Sequence, residues 1–207
     1  MSKKKQSKQV PQLSPENYIR QKARNLPVYE CLVNGDWEDS KMVNVVVSRL
    51  HANGNITAGF FLVDLYCLGV KNTTYFFNYS PVEYKEQIQK MMHLSIKQIP
   101  YELAHNIVFA GLAYASELGF NPHKEFTSLT RFILEEDTED VELIEIECGR
   151  NGKPFYMQGQ FDSEQMANRV MAQLVSSLGK GNFDFALDAN KDINGDKYDE
   201  EDFDLKR

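Results

Sequence analysis

The stretch MVNVVVSRLHANGNITAGFFLVDLY, residues 42–66, decides the fold class. Its first part is dense in β-branched side chains, which favour a strand. Asn53 and Gly54 then supply the positive φ angles that a tight hairpin turn requires. The second part is apolar at odd and even positions alike, as from Phe60 to Val63, so this strand is expected to be covered on both faces.

The segments on either side of this hairpin complete the predicted order α-ββββ-ααα-ββ-α. Further strands are expected from residue 28 and over 73–78, and helices are expected over 14–25, 80–93, 101–118, 121–134 and 162–178. Residues 141–148 and 154–158 are predicted to pair across the turn at Asn151-Gly152. The result is an α+β fold with an antiparallel β-meander, three helices, a second β-hairpin and a final helix, in which helices pack on one mixed sheet layer.

Local signals mark where several of these helices begin. Ser14 precedes Pro15 and is expected to cap the first helix. Ser80 with Glu83, and Asp162 with Gln165, have the spacing of a capping box. A stripe of small residues on the helix predicted over 101–118 indicates close packing against another element: Ala104, Val108, Gly111 and Ala115.

Length and composition predict one domain with charged ends. The chain has 207 residues, of which 42% are hydrophobic, enough for one sizeable core. Residues 1–12 are predicted to be a disordered basic arm, residues 13–180 a single domain, and residues 181–207 an acidic disordered tail. No apolar stretch indicates a membrane span or a secretion signal, so a cytoplasmic protein with no membrane contact is expected.

Common catalytic and cofactor motifs are absent from the sequence. It has no phosphate-binding loop, dinucleotide fingerprint, zinc-protease helix or hydrolase elbow. Cys31, Cys67 and Cys148 have neither disulfide nor metal spacing and are expected to be buried thiols. No cofactor and no metal centre are therefore predicted.

The charge of the chain is concentrated at its ends. Residues 1–25 contain seven Lys or Arg and one acid, whereas residues 181–207 contain nine acids and four Lys or Arg. Four lysines of the arm are candidates for contacts with RNA or DNA phosphates: Lys3, Lys4, Lys5 and Lys8. Residues 190–201 approximate a calcium-binding EF-hand loop, but Asn190 and Lys197 depart from its pattern, which favours a solvated acidic tail.

Two polar features inside apolar segments are candidates for chemistry. Asp64 interrupts a strand, and a buried acid needs a partner such as Lys71 or Arg49, or else has a task. Glu102 and His105 lie on one flank of an apolar helix, where they could meet Asp64 and transfer protons.

The chain resembles a family of bacterial proteins to which no activity is attached. The resemblance lies in the runs LSPENYIR at 13–20, NVVVSR at 44–49, GNI at 54–56, LVDLYCLGVK at 62–71 and LAHN at 103–106. It spans roughly residues 13–179. No catalytic or binding residue follows from it.

Two function hypotheses result. The first is a non-catalytic intracellular interaction protein that binds a protein or nucleoprotein partner with help from its charged tails, nucleic acid being reached through the arm. The alternative is a metal-assisted hydrolase, acting on nucleic acid, with Asp64 and Glu102 as ligands and His105 as general base.

Overall fold

The β-branched runs of the chain form a five-stranded antiparallel sheet. The computed structural model of the protein describes residues 13–92 and 95–187. The strands of this sheet are β1 (Val28–Asn34), β2 (Met42–Leu50), β3 (Ile56–Asp64), β4 (Gly69–Tyr79) and β5 (Ile96–Ile99). Their order is β4-β3-β2-β1-β5, so the predicted meander is present and β5 adds a strand beyond β1. The predicted α+β class is confirmed.

The predicted hairpin between β2 and β3 fixes the position of Asp64. Gly54 in its turn has a φ of 84°, a left-handed conformation that glycine adopts without steric cost. The two strands pair without a shift of register, and Asp64 stands opposite Met42 in β2 and Gly69 in β4. The acid therefore lies at the end of a central ladder, where the chain turns from β3 into β4.

Helices accompany the sheet on both sides. Within the described ranges they are α1 (Pro15–Lys22), α2 (Trp37–Ser40), α3 (Pro81–Met91), α4 (Tyr101–Glu117), α5 (Lys124–Ser128) and α6 (Glu164–Leu178). Short 3-10 turns over Ala23–Asn25 and Thr130–Ile133 follow α1 and α5. The predicted caps at Ser14 and Ser80 are confirmed, because each serine side chain accepts a hydrogen bond from the first helical turn.

Both faces of the sheet are covered, as the apolar pattern of β3 predicts. Helix α4 packs on one face, where Phe61 and Val63 of β3 join the largest core. Helix α3 packs on the other face, where Phe60 lies in a core with Tyr84 and Ile88.

The small-residue stripe of α4 allows a close approach to the sheet. A Cβ added to Gly111 would lie 2.6 Å from Val63 Cγ1, and one added to Gly69 would lie 2.8 Å from Ala115 Cβ. Side chains at these two positions would therefore push the helix away from the end of β3 and β4. The close packing predicted from the stripe is confirmed.

A further apolar core joins the last turn of α4 to α6. It contains Leu118 and Leu174, and it also buries Phe183. Beside it, β6 (Phe155–Met157) pairs in parallel with β7 (Asp184–Ala186). The folded part of the chain thus extends past residue 180, where the sequence predicts that the domain ends.

The structure corrects the prediction of a second hairpin. The turn at Asn151-Gly152 is present, with φ angles of 53° and 74°, and Arg150 and Lys153 form one isolated bridge across it. No ladder continues from that bridge in the described residues, since residues 141–148 belong to no strand and β6 pairs with β7.

The connection between β3 and β4 explains why the ladder does not form. The N–H of Gly149 donates to the carbonyl of Leu65 at 2.8 Å, and the N–H of Phe155 donates to the carbonyl of Tyr66 at 3.2 Å. The two sides of the turn are each held by this connection instead of by one another.

Two helix predictions also need correction. The helix predicted over 121–134 is divided into α5 and a 3-10 turn, because Leu129 leaves the helical region with a φ of −146°. Helix α6 is capped by Ser163, whose side chain accepts from the N–H of Met166, and not by Asp162. The Asp162 carboxylate instead accepts from the N–H of Gly159 at 2.8 Å.

Candidate functional site

The Asp64 carboxylate is held by the turn that follows it. Asp64 is 2% exposed, and its Oδ1 accepts hydrogen bonds from the N–H groups of Tyr66 at 2.8 Å and Cys67 at 3.1 Å. Burial raises the pKa of Asp64 above its ordinary value, although the Lys71 ammonium and the N–H groups of the turn act in the opposite direction. The acid thus has the structural partners that its position in an apolar strand demands.

Lys71 connects Asp64 to a second buried acid. Its Nζ lies 3.7 Å from Oδ2 of Asp162, and the two side chains are only 13% and 9% exposed. The Tyr156 hydroxyl donates to the same oxygen of Asp162 at 3.2 Å. We call Asp64, Lys71, Asp162 and Tyr156 the lysine cluster; it ties the β3–β4 connection to the chain that enters α6. Burial raises the pKa of Asp64 and the charge of Lys71 opposes this rise, whereas Arg49 is engaged elsewhere.

Arg49 and His105 belong to a different group, on the face of the sheet that α4 covers. Arg49 is 2% exposed, and it donates to the carbonyls of Ile133 and Leu26, each at 3.0 Å. Its guanidinium also lies 3.5 Å from Oε1 of Glu135. This buried arginine therefore fixes the chain that follows α5 against β2.

His105 is occupied by packing and by a main-chain contact. Its ring is stacked on Phe109, with 4.3 Å between the ring centroids, and its Nε2 lies 3.3 Å from the carbonyl oxygen of Glu135. Burial lowers the pKa of His105 below its ordinary value, and the hydrogen bond to Glu135 partly opposes this shift. A neutral, packed imidazole results.

The structure does not bring Asp64, Glu102 and His105 together. Asp64 lies at the end of β3 where Gly111 of α4 approaches, whereas His105 lies six positions earlier on that helix, about 9 Å along its axis. Glu102 is half-buried in the first turn of α4. In the residues that the structure describes, no three His, Cys, Asp or Glu side chains are arranged to hold a metal ion.

A polar cavity lies next to Phe109 and Glu135, the two residues that His105 contacts. It has a volume of about 250 Å³ and is lined by Arg24, Phe109, Arg131, Glu135, Glu136, Asp137 and Thr138. Arg24 is engaged in its wall, donating to the carbonyl of Leu134 at 2.8 Å and to Glu136 at 2.6 Å. The lining therefore carries both signs of charge and continues into the acidic chain that follows.

That acidic chain carries a dense run of negative charge. Residues 135–147, here called the acidic segment, contain eight Asp or Glu and no Lys or Arg. Three of its acids lie within 4.0 Å of a cation: Glu135 with Arg49, Glu136 with Arg24, and Glu147 with Lys41. The other five form no such ion pair with a described residue: Asp137, Glu139, Asp140, Glu142 and Glu145.

The second half of the acidic segment is extended and anchored at few points. Residues 142–148 contain no turn or bend, and from residue 143 onward exposed and half-buried side chains alternate. The Asn106 amide holds the carbonyl of Glu142 at 2.8 Å, and Lys41 Nζ holds the carbonyl of Glu147 at 3.1 Å. The period of two visible in the sequence is therefore real, although no strand of the described structure pairs with this segment.

The sequence prediction found some of these features and missed others. It named Lys71 as a partner of Asp64 but assigned Asp162 to a helix cap, because an acid followed three residues later by Gln165 fits that motif as well. It did not single out the acidic segment, whose eight acids were read as a loop and a hairpin strand. The lysines Lys3, Lys4, Lys5 and Lys8 and the EF-hand-like residues 190–201 lie outside the described residues.

The cysteines do not form a reactive site. Cys31, Cys67 and Cys148 are free thiols, the first two buried and the third half-buried. Burial raises the pKa of Cys31 to about 12 and that of Cys148 to about 11, so neither is an activated nucleophile. No helix within the described ranges is both long enough and apolar enough to cross a membrane.

The comparisons with known proteins found no match for the chain. No protein-family model matches it, and neither the curated proteins nor the solved structures contain a match. The resemblance to a bacterial family therefore stays a prediction.

Proposed function

We propose that this protein is a non-catalytic interaction protein whose acidic segment binds a positively charged protein or nucleoprotein. The observation that carries the proposal is the set of five acids in this segment that form no ion pair with a described cation. Clustered like charges repel one another and raise the local potential, and a cationic partner relieves that repulsion and is steered towards the surface.

The buried polar groups support the same proposal. Asp64 is bonded to its own turn and His105 to the Glu135 carbonyl, so both have structural partners. The hydrolase alternative requires Asp64, Glu102 and His105 to converge, and among the described residues no three His, Cys, Asp or Glu side chains are arranged to hold a metal ion. No observation made on the described residues favours that alternative over binding.

The basic arm has a separate place in the proposal. Lys3, Lys4, Lys5 and Lys8 would contact the phosphates of a nucleoprotein partner, with an affinity that falls steeply as salt rises. Deletion of residues 1–12 is expected to abolish binding to a single-stranded RNA or DNA probe in an electrophoretic shift assay at low salt. Unchanged affinity would remove the arm from the proposal and leave the acidic segment as its basis.

The experiment that tests the acidic segment compares two variants of equal net charge. In the first, Glu139, Glu142 and Glu145 are changed to Gln. In the second, three exposed glutamates outside the segment are changed to Gln: Glu38, Glu86 and Glu117. Both substitutions change the formal net charge from −7 to −4, so a difference between them reports on position and not on total charge.

Tagged wild-type protein and both variants would be purified from the native host at moderate salt, with and without nuclease. Quantitative mass spectrometry is expected to show one or more basic proteins that copurify with the wild type and the control variant and are depleted from the first variant. Equal recovery with all three proteins would contradict a role of the acidic segment. Nuclease sensitivity would identify a nucleoprotein.

A further inference from the structure

The main chain of residues 142–148 is extended, and no strand of the described residues pairs with it. Among the described residues, none accepts a hydrogen bond from a main-chain N–H of this stretch. Unpaired N–H and C=O groups in an extended segment are a template for another strand. The stretch is about 23 Å long at ~3.3 Å per residue, which suits a short peptide.

The contacts of this stretch with its own domain leave one of its two edges open from residue 144 onward; at the start of that edge, the Asn106 amide donates to the carbonyl of Glu142. In an extended chain, the N–H and C=O of one residue point to the same edge, and those of the next residue point to the opposite edge. The carbonyl of Glu147 and the N–H of Gly149 are engaged by Lys41 and Leu65, and both positions are odd. The N–H and C=O groups at 144, 146 and 148 therefore face the open edge.

The side chains beside the open edge define what can pair with it. Ile144 and Ile146 are half-buried against the domain, whereas Glu145 and Glu147 point outward and are exposed. A pairing strand would set its inward side chains beside the isoleucines and its outward side chains beside the glutamates. Complementarity therefore calls for apolar residues that alternate with Lys or Arg.

The same charges disfavour a second copy of this chain on the edge. Pairing of two such stretches would place the outward glutamates of one beside those of the other, and like charges on neighbouring strands destabilise a ladder. Charged residues on exposed edges protect natural sheets from self-association in this way. The acids thus select against self-pairing and in favour of a basic strand.

From these observations we infer that residues 142–148 receive an extended basic segment of a partner protein by strand addition. The inference rests on the proposed function, since it assigns the partner chemistry and the binding mode to the acidic segment. Main-chain hydrogen bonds supply affinity in this mode, and alternate side chains supply specificity. The partner is a peptide segment in which basic and apolar residues alternate.

The test uses the full-length protein and a peptide that alternates lysine and valine, matched in length to residues 142–148. Two further peptides carry backbone N-methyl groups, one on its valines and the other on its lysines. All three have the same charge. Because all valine N–H groups of an extended peptide point to one edge and all lysine N–H groups to the other, strand addition requires only one of the two sets.

Binding by fluorescence anisotropy is expected to weaken about ten-fold or more with one methylated peptide and to change less than about two-fold with the other. Methylation of the valines is the damaging change if the added strand is antiparallel. Amide hydrogen exchange is expected to slow at Ile144, Ile146 and Cys148 when the unmethylated peptide binds, and to stay unchanged at Leu143 and Glu145.

Equal affinities of the two methylated peptides would overturn strand addition and leave the proposed function standing as a purely electrostatic contact. Absence of binding by the unmethylated peptide to the wild type would overturn the inference and the proposed function together. Two results would assign the edge to another occupant and so overturn the inference. If amide exchange at Ile144, Ile146 and Cys148 is slow in the free protein and becomes fast when residues 1–12 are deleted, the occupant is the basic arm. If protection of these amides rises with protein concentration, the occupant is a second copy of the chain.

Discussion

Lys71 pairs with one buried carboxylate, that of Asp162, and its charge also acts on a second, that of Asp64. Its Nζ lies 3.7 Å from Asp162, and burial raises the pKa of Asp64. Without the lysine, these carboxylates would remain in the interior without their cation. Loss of one member of a buried charge cluster is costly, because the remaining charges are no longer compensated.

The change Lys71→Met is expected to lower the free energy of unfolding by about 2–4 kcal/mol. The matched control is Lys41→Met, since Lys41 pairs with Glu147, whose side chain is 75% exposed and regains water when the pair is broken. The control is expected to cost less than about 1 kcal/mol. Urea unfolding followed by circular dichroism measures both values. Equal losses would show that Lys71 does not compensate a buried charge.

The His105 ring provides a test that depends on pH. Its pKa is lowered from 6.5 by burial, so the unfolded chain binds a proton at a higher pH than the folded protein. The stability that His105 contributes is therefore complete above pH 6.5 and decreases as pH falls below that value. Relative to His105→Phe, the wild type is expected to lose stability between about pH 7 and pH 5. Unfolding midpoints across this range, or an NMR titration of the ring, would show it; a pH-independent difference would contradict it.

The interaction partners of single residues were predictable from the sequence where only one physical requirement applied. An acid in an apolar strand needs a partner, and this requirement pointed to Lys71 or Arg49; the structure gives Asp64 the N–H groups of its own turn and the nearby charge of Lys71. Asp162 was suited to two roles, since its side chain could either cap a helix or pair with a cation. Because Ser163 is equally able to cap α6 and does so, only the three-dimensional position of Lys71 decided between them.

Close contact between helix α4 and strand β3 gives a prediction for the elements. An added methyl group at Gly111 would meet the Cγ1 of the buried Val63 at 2.6 Å. Gly111→Ala is expected to destabilise by about 1–2 kcal/mol, because overpacking outweighs the gain of about 1 kcal/mol in helix propensity.

Val63→Ala removes the clashing atom and serves as the matched background. In that background, Gly111→Ala is expected to be nearly neutral or stabilising, and a double-mutant cycle of unfolding free energies measures the coupling. Additive effects would show that the two residues do not limit the approach of the helix.

Among the elements, those with a strong local signal were predicted well. Strand β2 and the turn after it carry β-branched residues and an Asn-Gly pair, and both occur as predicted. Residues 141–148 carry an equally clear period of two, but a periodic pattern predicts an extended conformation and not its partner. Pairing was decided by Leu65 and Tyr66, whose carbonyls hold the chain on either side of Asn151-Gly152, and nothing local indicates that contact.

For the whole molecule, the arrangement of charge is the feature that sets the proposed function. The acidic segment is continuous in sequence and exposed along most of its length. The buried charged side chains of the domain, such as Arg49 and Asp162, have partners of opposite charge within the fold. The sequence shows these acids, and they were assigned to a loop and a hairpin strand. Which of them pair with a cation depends on the positions of Arg24, Lys41 and Arg49 in the fold.

Affinity for a basic peptide tests the proposed role of the acidic segment most directly. The peptide that alternates lysine and valine would be titrated into three full-length proteins: the wild type, the variant with Gln at positions 139, 142 and 145, and the control variant with Gln at 38, 86 and 117. We expect the first variant to bind about ten-fold more weakly than the wild type and the affinity of the control to change less than about two-fold. Equal affinity of the two variants would contradict this expectation, because binding would then follow net charge and not the acidic segment.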